Sequence, residues 1–151
     1  MANTQAMCTS FKGDLLVGHH NFGVGVVRGS TAADTFKAAL YLASATVNAT
    51  TTAFSATNEV SGTGYTSGGV TVTFGTAPST SGTTAFVTPS ASISYSAVTL
   101  STAFDAVLIY NSTQSNKAVS VHTFGSQTVT AGTFTLTMPV NDASTGLIRI
   151  A

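Results

Sequence analysis

Charge is what this sequence has least of. Only 7% of its 151 residues are Asp, Glu, Lys or Arg, against roughly 25% in an ordinary domain. Five basic and five acidic residues leave a formal net charge of zero. Long-range attraction to phosphate or to an anionic membrane surface then has no source, and no nucleic acid is expected as a partner. Tryptophan is absent and cysteine occurs once, as Cys8. A lone cysteine excludes an internal disulfide, and no Cys/His spacing matches a structural zinc site. No stretch approaches the ~18 consecutive apolar residues of a spanning helix, so no membrane is expected either. Met1 to Ala6 lacks a basic segment leading into an apolar core, and the expectation is a chain made and kept in a cytoplasm.

Serine and threonine supply the polarity that charge does not. A hydroxyl-rich, uncharged surface has little repulsion to keep copies apart, and depletion of charge marks the core of contact patches. The composition therefore points to a protein that lives in an assembly, with copies of itself among its neighbours.

The chain is long enough for one ordinary domain with a core of its own. Its centre is the stretch Phe104 to Phe124. Ala106 to Tyr110 is a continuous apolar run, too short for a helix and rich in β-branched and aromatic side chains, which reads as a strand buried on both faces. Asn111 to Lys117 is a polar turn. Ala118 to Phe124 then alternates, with Val119 and Val121 on one face and Ser120 and His122 on the other, a face left open to water or to a partner.

Ahead of this hairpin, Met1 to Ser10 reads as a polar arm and residues 11–151 as a single β domain. Phe11, Leu15, His19 and Phe22 share one face at helical spacing, which predicts a short amphipathic helix ended near Gly23. Thr35 to Leu42 and Val70 to Phe74 alternate as strands. Ser44 to Ser67 is a long structured loop. Phe86 to Thr88 and Ile93 to Leu100 continue the sheet, and the change of parity between Tyr95 and Val98 predicts a bulge near Ala97. Thr133 to Met138, stopped by Pro139, and Leu147 to Ile150 complete it. Strands at roughly ten-residue spacing, with turn chemistry between them, predict a mainly β fold. The expected form is an antiparallel β-sandwich or a jelly-roll-like domain carrying one short N-terminal α-helix.

Catalytic chemistry is sparse. Asp14, His19, His20 and His122 are the candidate metal ligands, but adjacent helical histidines point about 100° apart and do not readily share an ion with Asp14. Gly23 to Gly29 has the glycines of a phosphate loop with the strand and helix in the wrong order. No G-x-S-x-G elbow exists, and Asp34, Glu59, Asp105 and Asp142 stand singly. No enzyme activity, metal or cofactor is expected. Tyr41, Tyr65, Tyr95 and Tyr110 could stack on sugars, although core packing with a bonded hydroxyl suits them better.

Several stretches together resemble a group of small structural proteins of tailed bacteriophages. They are Ser10-Phe11-Lys12 through Leu15-Leu16 with His20-Asn21-Phe22, Asp34 to Tyr41, the glycine-rich Thr57-Asn58-Glu59-Val60-Ser61-Gly62-Thr63-Gly64-Tyr65-Thr66-Ser67-Gly68-Gly69, Leu108 to Asn111, and the ending Leu147 to Ala151. The stretch Gly23 to Ala33 is longer than that group's pattern. The resemblance implies a virion component with no catalytic residue, most like a capsid decoration or cement protein. On that reading the partner is the major capsid protein, and the chain sits on the capsid surface after synthesis in the host bacterial cytoplasm. The alternative it leaves is a fibre or tail-associated module contacting a host-surface carbohydrate through Tyr65 and loop hydroxyls. The arm, the apolar face Phe11, Leu15 and Phe22, and the loop around Glu59 and Tyr65 are the candidate protein contacts, helped by strand edges that carry few charges.

Overall fold

A computed structural model describes residues 3–8, 10, 11, 15, 19, 20, 22, 23 and 33–151. The described residues form eight strands: β1 Ala6–Met7, β2 Phe36–Leu42, β3 Val70–Val72, β4 Ser79–Ser81, β5 Thr84–Val87, β6 Ile93–Asn111, β7 Lys117–Leu136 and β8 Ile148–Ile150. They make two antiparallel sheets, one in the order β1-β7-β6-β2-β3 and one in the order β4-β5-β8. The fold is mainly β and sandwich-like. The helix expected over Phe11 to Phe22 and the glycine run after Gly23 fall largely outside the described residues.

The apolar run Ala106 to Tyr110 lies in the middle of the larger sheet, between β2 and β7. Its register places Tyr110, Leu108 and Ala106 beside Lys37, Ala39 and Tyr41, while Ile109 and Val107 lie beside Ala38 and Leu40. Both faces of this segment are covered, so all five residues are buried. That is why the stretch is continuous in sequence where its neighbours alternate. Each buried Val, Leu or Ile here contributes about 1.5–3 kcal/mol of transfer free energy.

Strands β6 and β7 pair along nearly their whole length, from the turn end at Asn111 and Lys117 to Ile93 and Leu136. A straight strand from Tyr95 to Ile109 would span about 46 Å at ~3.3 Å per residue. Yet the Tyr95 hydroxyl donates to the Ala38 carbonyl at 2.9 Å, and Ala38 pairs with Ile109. The ribbon therefore folds back on itself. The bend is built from successive register shifts between Tyr95 and Ala106, with Ala97 at φ 53° and Ala131 at φ 45°. Phe104, Phe124 and Phe134 fill its inside, with ring centroids 5.0–6.0 Å apart. A strand pair that turns a corner through bulges supplies two layers of a sandwich from one hairpin. The expected bulge at Ala97 is thus the start of a corner, and the strands expected at Ile93 to Leu100 and at Ala106 to Tyr110 are one.

The smaller sheet joins the same core through Val87 and Ile148, and Phe22, Phe36 and Phe74 meet there with centroids 4.6–5.1 Å apart. The N-terminal arm docks on its own chain. Ala6 and Met7 pair with Val121 and Ser120. Asn3 donates to the Leu42 carbonyl and to Asp105, and its side-chain oxygen accepts from the Val47 N–H.

Candidate functional site

The glycine-rich loop is organised by one buried carboxylate. Asn58 turns the chain at φ 61°, and Glu59 then forms an isolated bridge to Tyr41 at the end of β2. The loop returns over the Glu59 side chain. Its Oε1 accepts from the Tyr65 hydroxyl at 2.8 Å and from the Gly68 N–H at 2.7 Å, and its Oε2 accepts from Ser67 Oγ at 2.6 Å. A buried carboxylate is tolerable only when such donors replace water, and bonds of this kind are about twice as strong as neutral ones.

Tyr65 also works as an acceptor. The Leu40 N–H donates to its hydroxyl at 3.0 Å, filling the place on the β2 edge between the β3 pairing and the bond from Val60 N–H to the Leu40 carbonyl. Burial, followed by the hydrogen bond to Glu59, holds the Tyr65 phenol well above its ordinary range. The neighbouring phenols follow the same logic. Tyr41 donates to the Ser55 carbonyl and is pushed by burial to about 12, and Tyr110 donates to the Gly68 carbonyl at 2.8 Å. Gly69, at φ 71°, lies so close to β2 that a Cβ there would run into the Ala38 carbonyl oxygen. The loop is a clasp that closes the edge of the main sheet.

The candidate contacts lie largely inside the chain. Phe11, Phe22 and Glu59 are buried within the chain, and Leu15 and Tyr65 are half-buried against the core. Phe11 and Phe22 pack edge to face at 5.8 Å, and the Tyr65 ring stacks on Tyr95 at 5.9 Å. An apolar helical face and a polar loop look outward in sequence, but here each meets an inner surface that the rest of the chain supplies. All four tyrosine hydroxyls are spent on internal bonds.

Other candidate groups are also accounted for internally. Among the described residues no three His, Cys, Asp or Glu side chains converge. His20 meets Asn111 at 3.1 Å beside Phe11, whereas His122 meets Ser120 at 2.9 Å on β7; Asp14 lies outside the described residues. Cys8 is buried, and burial pushes its thiol up to about 11. The Ser120 and His122 face is not open: Thr137, Met138 and Leu147 line a small cavity against it together with Val107 and Ile109. No helix among the described residues is long and apolar enough to cross a membrane.

What the fold presents outward is a different set of residues. The stretches 60–104 and 118–141 contain no Asp, Glu, Lys or Arg, and they form β3, β4, β5 and most of the folded ribbon. At its corner Ser101, Thr102, Ala103, Gly125, Ser126, Gln127 and Thr128 are exposed. The edge of β7 is irregular here: four residue steps from Thr123 to Gln127 face two from Ala106 to Phe104. Bulges guard an edge against strand addition as charges do elsewhere. Contact at this corner would be made by side chains, not by extending the sheet. Val140 at 71% and Ile150 at 46% exposure are the large apolar side chains left in solvent among the described residues. Sequence reading missed the corner because nothing in a polar Ser-Thr-Ala triplet marks a bend without its partner strand.

Compared with protein-family models, with curated proteins and with solved structures, the chain matches none.

Proposed function

We propose that this chain is a non-enzymatic virion structural protein that decorates a bacteriophage capsid and bridges neighbouring shell subunits. The observation that carries the reading is the uncharged, hydroxyl-rich corner of the folded ribbon, packed on three phenylalanine rings. Such a surface suits repeated neutral contacts in a crowded lattice, because it brings no charge to be desolvated or repelled. The choice of a capsid as the lattice, with the major capsid protein as partner, rests on the sequence resemblance.

The mechanism is mass action. Contacts made only by the assembled shell stabilise that shell, by an amount that grows with the occupancy of the sites. One copy touching two subunits gains further from the high effective concentration of its second contact.

Shells lacking the chain provide the test. Added protein is expected to bind them saturably and to raise their disruption temperature. Because the surface is neutral, the affinity is expected to change less than about threefold between low and high salt. Failure to bind, or a steep loss with salt, would overturn the proposal.

A further inference from the structure

Beside the clasp, the fold contains a second closure, in which both ends of the segment 137–147, Thr137 to Pro139 and Thr145 to Leu147, border His122 of β7. We propose that His122 makes this closure acid-sensitive: protonation of its imidazole releases the covering segment from the larger sheet while the β2-β6-β7 core stays folded. The inference is independent of the virion reading.

The geometry around the ring carries the argument. Val107 is its cross-strand partner on β6. Met138 and Leu147 of the covering segment close over it on one side, and Arg149 of β8 borders the cavity on the other. Among the described residues no carboxylate lines either cavity. The acids nearest in the chain are engaged elsewhere: Asp105 of β6 accepts from Asn3, and Asp142 of the covering segment accepts from the Ser144 and Thr145 N–H groups. Strand β1 brings no titratable side chain, and Lys117, the charged residue of β7 itself, stands at the hairpin turn. The bond to Ser120 survives protonation, since a hydroxyl can accept from the imidazolium N–H. What has no remedy is a positive charge set against Val107, Met138 and Leu147, with the Arg149 guanidinium as the charge that the described residues bring to the same space. Burial accordingly lowers the His122 pKa to about 4.

The covering segment is attached lightly. Its polar tie to the body is the Leu147 N–H donating to Thr88 Oγ1 at 2.9 Å. Among its other bonds are the internal ones of Gly146 N–H to the Asp142 carbonyl and of the Ser144 and Thr145 N–H groups to the Asp142 side chain, and exposed ones from Arg149 of β8 to the carbonyls of Ser144 and Ala143. A segment with few ties opens locally at less cost than the whole domain unfolds.

The sign follows from linkage. A histidine whose pKa is lower in the closed form than in the open one leaves the closure fully stable above about pH 6.5 and weakens it as pH falls toward about 4. Hydrogen exchange of the full chain, corrected for intrinsic rates, should show protection of residues 137–147 falling by up to about tenfold per pH unit across that window, while β8, paired with β5, keeps its protection. Residues 104–123 should stay protected. The variant His122→Gln should hold the segment closed with no such pH dependence. Protection that is flat in the wild type, or the same acid loss in His122→Gln, would overturn the proposal. Should that variant not fold, the imidazole signals of the wild type decide: a His122 that titrates near 6.5 would overturn it equally.

Discussion

The Tyr95 hydroxyl donates to the carbonyl of Ala38 at 2.9 Å, although Tyr95 lies in the same strand as Ile109, the residue that pairs with Ala38. This bond ties the Tyr95 half of the folded ribbon to β2, the strand that pairs with the Ile109 half. Tyr95→Phe keeps the ring and leaves the Ala38 carbonyl without that donor in a buried place. The expected loss is about 1–3 kcal/mol, with an unchanged denaturant slope, because the folded form remains equally compact. Urea unfolding measures both. A stability equal to wild type would mean that the halves are not held as described.

Glu59→Gln replaces an acceptor for three donors with a group that itself donates. One amide N–H₂ must then face Ser67 Oγ or the pair formed by Tyr65 and the Gly68 N–H. Facing Ser67 it can donate to the hydroxyl, so the network stays bonded, but its charge-assisted bonds become neutral ones of about half the strength, and a loss of roughly 1–2 kcal/mol is expected. Were Glu59 an exposed contact residue, the change in stability would be within about 0.5 kcal/mol. Thermal unfolding of the purified domain separates the two.

Cys8 is expected to be inert in the native protein. With its thiol raised to about 11, the thiolate fraction at pH 8 is on the order of a hundredfold below that of an unperturbed thiol near 9, and burial blocks the reagent as well. A chromogenic disulfide reagent should report no reaction until denaturant is added. Prompt reaction of the native chain would show that residues 3–8 do not stay docked.

Much of this fold was legible in the residues. The unbroken run Ala106 to Tyr110 announced a strand covered on both faces, and the parity change between Tyr95 and Val98 announced the bulge at Ala97. The corner itself was not legible. Ser101 to Ala103 reads as a break between strands, and only pairing with β7 carries β6 through it. The clasp was hidden for a related reason. A lone Glu and a Tyr six residues on look solvated, and their burial arises only when the loop closes and brings the Ser67 hydroxyl and the Gly68 N–H to the same carboxylate. The arm was legible as extended, but the surface it binds, between Val47 and Val121, comes from residues more than forty positions away.

The reading as a shell component stands most directly on stoichiometry. A protein that repeats with the symmetry of a capsid must be present in a fixed ratio to the major capsid protein, whereas a fibre or tail component follows the few axes of a tail. Quantitative gel or mass-spectrometric analysis of purified particles gives that ratio. Hundreds of copies per particle, in simple proportion to the shell subunit, is the predicted result; about a dozen copies or fewer, as the symmetry of a single tail allows, would contradict it.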